Sequence, residues 1–235
     1  MMLKTKIDML FERDYAYAVS HNYKNTCASL EYIKASHMDV NVNVPMVQEY
    51  LIHGLSMVWL LIELRLPITE EEMDLILSAS MLHILVELYG EYDMESLSDM
   101  IGVPEDVRLF VHKIQESNQN YEMVLQDRLL LIVKMVERSN LIEHLCDMTT
   151  EEAKQFMTDA KHHWFSMCIE GKERYQEFDA ALAGILEKMR GLIQVMDVLF
   201  KRYDAEEDEL YEDILALKEE NAHIRVTMER RRKER

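Results

Sequence analysis

The run QDRLLLIVKMVERSNLIEHLCDM, residues 126–148, is the stretch on which the fold turns. Wound as a helix, it is hydrophobic on more than one face, the pattern of a helix enclosed by others rather than one lying on a surface. Near its middle, directly after LLLIVKMV, stands Glu137. A carboxylate buried there costs several kcal/mol unless a cation or hydrogen bonds compensate it, so a partner for Glu137 is expected.

Around this run, turn residues are scarce: six Gly and three Pro in 235 positions. Sheets need frequent turns, so the shortage points to an all-α protein of long helices with few connections. A composition 49% hydrophobic and 30% charged is that of a soluble globular chain, and its length accommodates one ordinary domain plus an extension. The net charge of −18 repels nucleic acid and anionic lipid, which excludes nonspecific binding to either. Cys27, Cys146 and Cys168 are odd in number and lack CxxC spacing, so they read as small apolar residues. The N-terminus has no signal-peptide pattern, and a cytoplasmic location is expected. The most apolar segment, residues 51–68, carries His53, Glu63 and Arg65, which suits a core helix rather than a membrane span.

The helical pattern begins at once, with Ile7, Leu10, Phe11, Tyr15 and Ala18, and predicts one or two helices over residues 3–36. Pro45 can start a helix, placed at about 45–65 with a break at Pro67. Thr69 and Glu72 have capping-box spacing at the head of a helix that keeps its period through Met73, Ile76, Leu77, Ser80 and Leu85 until Gly90. Pro104 starts another helix, and Thr150 opens one with acids in its first turn. His144, His162, His163 and Trp164 are read as surface or packing residues, because adjacent histidines point to different sides of a helix.

From Glu173 to Glu234 there is no Pro, and the apolar positions advance by alternating threes and fours. Leu186, Met189, Ile193, Met196, Phe200 and Tyr203 are followed by Leu210, Ile214, Leu217, Asn221, Ile224 and Met228. This is a heptad seam. Before about residue 205 it is expected to pack on its own domain; over residues 205–230 it is expected to pair with a second copy or a partner helix. Asn221 takes an a position, where a buried Asn commonly fixes a parallel two-stranded register. The terminal ERRRKER stays solvated or meets the acidic DAEEDELYED of another chain.

Three phrases in order, YLIH (50–53), ASMLHILVELYG (79–90) and VKMVERSNLIEHL (133–145), resemble the HD-domain phosphohydrolases, in particular the guanosine-polyphosphate hydrolase domain of the RelA/SpoT type. In that family the phrases run approximately YxxH, ALLHDxxED and KLADRxxN. The stretch 92–116 resembles the short helices that follow the HD pair, and the likeness covers about residues 10–170. The resemblance implies an HD-like helical bundle, residues 1–172, and the heptad seam adds a long helix with a coiled-coil end, residues 173–235. It also implies a metal site on His53, His83 and Glu137, with Glu87 positioning or deprotonating water and Arg138 and Asn140 in the polar last motif. The ion would be manganese, or zinc or iron, and the ligand a guanosine nucleotide; with the site lost, no cofactor is needed.

The departures bear on function. Ile84 stands where the family has its metal-binding aspartate, Leu88 replaces an acid, Leu141 stands where a second Asn is common, and the HxGQxRxSGxPY element upstream of His53 is replaced by HMDVNVNVPMVQEY. The expected function is therefore a nucleotide-sensing or protein-interaction module with impaired or lost hydrolysis. The alternative is an active metal-dependent phosphohydrolase acting on a nucleotide pyrophosphate.

Overall fold

The computed structural model describes residues 2–35, 45–89, 102–145 and 148–200, and all regular structure among them is helical. Met1–Met189 form one compact unit and Arg190–Arg235 a second. The first unit therefore extends past residue 172 and takes in the opening turns of the helix that begins at residue 179.

Helix α1 (Met2–His21) and α2 (Lys24–Ile33) form a hairpin. It reverses at Asn22, whose φ of 58° is one that Asn adopts at less cost than most side chains. The buried stripe of α1 is Ile7, Phe11, Asp14 and Ala18, so the core face predicted from apolar spacing contains a carboxylate. Nothing within α2 caps its start, because its N-cap residue Tyr23 makes no side-chain cap bond. That role falls to Asp74 from a distant helix. Its carboxylate accepts from the backbone N–H of Asn25 (3.0 Å) and Thr26 (2.8 Å) and from the Thr26 hydroxyl (2.7 Å).

Helix α3 (Pro45–Glu63) starts at Pro45, and the chain turns at Arg65, which has φ of 47°. Helix α4 (Glu70–Tyr89) follows. Its capping box is formed: Glu72 N–H donates to Thr69 Oγ1 at 3.2 Å, and Thr69 N–H to Glu72 Oε2 at 3.1 Å. Residues 76–85 are buried without a break, and α4 packs against α2, α3, α5 (Glu105–Glu116) and α7 (Arg128–Glu143).

The run that opened the sequence is α7. Asp127 caps it, accepting from the N–H groups of Leu129 (3.0 Å) and Leu130 (3.2 Å). Every residue from Leu129 to Glu137 is buried, as expected for a central helix, and α3, α4, α5, the short α6 (Tyr121–Gln126) and later segments surround it. The core thus has two enclosed helices, α4 and α7. On the far side, α8 (Thr150–Asp159) opens with a complete Thr149–Glu152 capping box, passes through a π-helical turn, Ala160–Trp164, and continues as α9 (Phe165–Arg174). Gly171 lets α9 approach α7: a Cβ there would lie 2.5 Å from Leu131 Cδ2.

Leu182, Leu186 and Met189 are buried in the first unit, so the early part of the heptad seam packs on its own domain as expected. In the second unit, residues 190–200 are helical. The pairing expected over residues 205–230 lies outside the described residues, as do Cys146, residues 90–101 and residues 36–44. Neither Cys27 nor the buried Cys168 forms a disulfide among the described residues. Among the described residues, no helix is long and apolar enough to cross a membrane.

Candidate functional site

The enclosed helices α4 and α7, with α3 beside them, carry the three sequence phrases to one place. His53 on α3 and His83 on α4 face each other edge-on, with ring centroids 5.9 Å apart. Asn140 on α7 reaches back to α3. Its Nδ2 lies 3.2 Å from both the His53 carbonyl oxygen and His53 Nδ1. A carbonyl only accepts, which orients the Asn140 amide; His53 Nδ1 is then an acceptor, and the proton of the neutral ring is on Nε2.

His83 is completely buried. Its Nδ1 lies 2.7 Å from the Ser80 carbonyl and therefore donates to it. Burial lowers the His83 pKa, and Lys134 lowers it further against the opposing pull of Glu137. The ring is consequently neutral near pH 7, with a lone pair on Nε2. That nitrogen is buried and has no hydrogen-bond partner among the described residues, and the same holds for Ser80 Oγ and Asn140 Oδ1.

Glu137, one helical turn from Asn140, is 3% exposed, and the partner predicted for it is present. Lys134, three residues earlier on the same face, is 0% exposed and forms an ion pair with Glu137 Oε2. The Lys134 ammonium also donates to Asn118 Oδ1 at 2.6 Å. Burial pushes the Glu137 carboxyl up, but the Lys134 ammonium, and after it the Arg138 guanidinium, hold it down at about 2. Lys134 is the residue that sequence reasoning passed over. Its signal was the i, i+3 spacing to an acid in an otherwise apolar run.

Arg138 is directed elsewhere. Its guanidinium lies 4.4 Å over the Trp164 ring of the π turn and 5.9 Å from Phe156, with Glu137 at 4.0 Å and Asn118 Oδ1 at 3.5 Å. His162 and His163 are both exposed, and His163 stacks on Tyr121 with centroids 4.8 Å apart. Glu87 is helical in α4, and its side chain lies outside the described residues.

Ile84 is 1% exposed and packs against Gly54, the residue after His53. A Cβ on Gly54 would stand 2.9 Å from Ile84 Cδ1 and 3.1 Å from Met81 Cε, so α3 and α4 are pressed together over Ile84. Ile84 is thus in hydrocarbon contact with its neighbours. Among the described residues, no group of three or more His, Cys, Asp or Glu side chains is placed to hold a metal ion. Chemically, the cluster offers one open imidazole nitrogen beside a carboxylate already neutralised by a lysine.

No family model, curated protein or solved structure matches the chain.

Proposed function

We propose that the chain is a non-catalytic relative of the HD-domain guanosine-polyphosphate hydrolases. Its helical domain acts in the cytoplasm as a nucleotide-sensing or protein-interaction module, and its terminal helix joins two copies. The observation that carries this is the Lys134–Glu137 pair: the carboxylate that resembles a metal ligand is compensated from within its own helix. Ile84, seated against Gly54, leaves no oxygen at a second ligand position. Nucleic acid is an unsuitable partner for a chain of net charge −18.

The dimer draws support from the heptad register. With Ile214, Asn221 and Met228 at a, the g positions include Asp213 and Glu220 and the e positions Lys218 and Arg225. In a parallel pair, g of one strand meets the following e of the other, which brings Asp213 to Lys218 and Glu220 to Arg225 twice over.

A second reading, metal-dependent hydrolysis of a guanosine nucleotide pyrophosphate, is favoured by one feature, the open Nε2 of His83. Metal content and a manganese and zinc titration, beside a His53→Ala/His83→Ala double variant, separate the two. The module reading expects no stoichiometric binding. One ion per chain, lost in the double variant, restores the hydrolase reading and makes Glu87 its candidate base.

A further inference from the structure

A helix holds a carboxylate on its core face only when both oxygens are satisfied or the group stays protonated, and α1 satisfies one oxygen. Asp14 is 0% exposed, on the same buried stripe as Ile7 and Phe11. Its Oδ1 accepts from Arg13 Nε at 2.8 Å, while Oδ2 is buried and has no hydrogen-bond partner among the described residues. Arg13 is itself drawn outward. Its side chain is 30% exposed, its guanidinium lies 4.1 Å over Trp59 of α3, and it donates to the Leu55 carbonyl at 3.5 Å.

The helices packed against α1 bring little to balance a charge at Asp14. From α2, Glu31 accepts from Tyr15 Oη, and the Lys34 ammonium stands 4.9 Å over the Phe11 ring. On α3 the core positions Leu51, Leu55 and Val58 are apolar, the acids Glu49 and Glu63 are exposed, and His53 is engaged by Asn140. Burial accordingly raises the Asp14 carboxyl, and Arg13 is the charge that opposes it.

The two helices of the hairpin are held unequally. Asp74 of α4 accepts from the first N–H groups of α2, and the Ser29 and Ser78 hydroxyls meet further along. The end of α1 is tied to α2 through Tyr23, whose ring lies 6.1 Å from that of Tyr17 and 5.4 Å from that of His21. Ahead of those rings, the buried side chains of α1 are Ile7, Phe11 and Asp14.

We propose that the part of α1 up to residue 15 is a pH-gated strap on α3: it lies down while Asp14 keeps its proton and comes away when the proton is lost, leaving α2 in place. Release uncovers the Leu55 backbone and the Trp59 ring, an α3 surface presented only at higher pH. This goes beyond the module reading and needs no ligand at the His53–His83 cluster. The direction follows from linkage: the docked state binds the proton more tightly than the released one, so docking is favoured at low pH and weakens as the pH rises through about 7.

The test is amide exchange of the full chain, read as protection factors at pH 5.5 and 8.5, for wild type and Asp14→Asn. Protection at residues 10–15 is expected to fall roughly thirtyfold between the two pH values in wild type and to stay level in Asp14→Asn. At pH 8.5 those amides are expected to be at least about tenfold less protected than Leu30 of α2 and the centre of α7, the mark of local rather than global opening. No fall in wild type overturns the proposal, as does a fall that persists in Asp14→Asn. Equal protection of α1 and α7 at pH 8.5 overturns it too, because α1 then opens only with the whole domain, and so does release of Leu30 together with α1. An Asp14→Asn chain that does not fold is equally fatal, since the amide has the shape and neutrality that the docked state requires.

Discussion

At the scale of the residue, two buried side chains have opposite consequences. Ile84 fills the gap above Gly54, so Ile84→Asp replaces apolar contact with a buried carboxylate. The loss of apolar burial and the desolvation of the charge together cost about 4 kcal/mol or more, which lowers the melting temperature by roughly 10 °C in a domain of this size. A differential scanning measurement that found Ile84→Asp as stable as wild type would show that the space is polar after all. Asp14 acts through pH. Burial raises its carboxyl pKa to about 7 against the opposing effect of Arg13, which pairs with it at 2.8 Å and lies over Trp59. Because its folded pKa exceeds the unfolded value of 3.8, its stabilising contribution is full below that value and is lost as the pH rises through 7. The whole shift corresponds to something on the order of 4 kcal/mol. Melting temperature should therefore fall between pH 5 and pH 8.5, and Asp14→Asn should flatten that fall. A wild-type profile with no decline across this interval contradicts a buried, protonated Asp14.

At the scale of the element, α2 depends on a helix nearly 50 residues away. Asp74 satisfies two of its free N–H groups, and the Ser29 and Ser78 hydroxyls meet at 2.7 Å further along the same α2–α4 contact. Asp74→Ala should therefore cost about 1–2 kcal/mol, the value of a lost helix cap. Amide exchange at Asn25 and Thr26 should accelerate more than exchange in α7; equal acceleration in both would mean that the loss is global rather than a cap. The two enclosed helices behave differently in sequence. Helix α7 announced its position by apolar residues on several faces, whereas α4 carries Ser78, Ser80 and His83 and is buried all the same. Ser78 is accommodated by its bonds to Ser29 and the Asn25 carbonyl of α2 and His83 by Nδ1 donating to the Ser80 carbonyl, whereas Ser80 Oγ is buried with no hydrogen-bond partner among the described residues.

At the scale of the molecule, the pairing proposed for residues 205–230 predicts a change in size on truncation. Sedimentation of the full chain against a truncation after residue 204 should give a dimer and a monomer respectively; a monomer in both would remove the coiled-coil pairing. An Asn221→Leu variant should remain associated but lose its strict preference for two strands, since the buried amide contributes specificity at some cost in stability.

The linear order of residues determined that this is a helical protein, where most described helices begin, that α7 lies at the centre and that Glu137 must have a partner. Each of these follows from local rules: helical period, cap chemistry and the cost of burying a lone charge. Tertiary structure alone decided that Asp74 caps α2, that Asp14 is buried on the core face of α1, and that Ile84 is pressed onto Gly54. Those outcomes depend on which groups from distant segments share a low-dielectric interior, and spacing along one chain does not encode that.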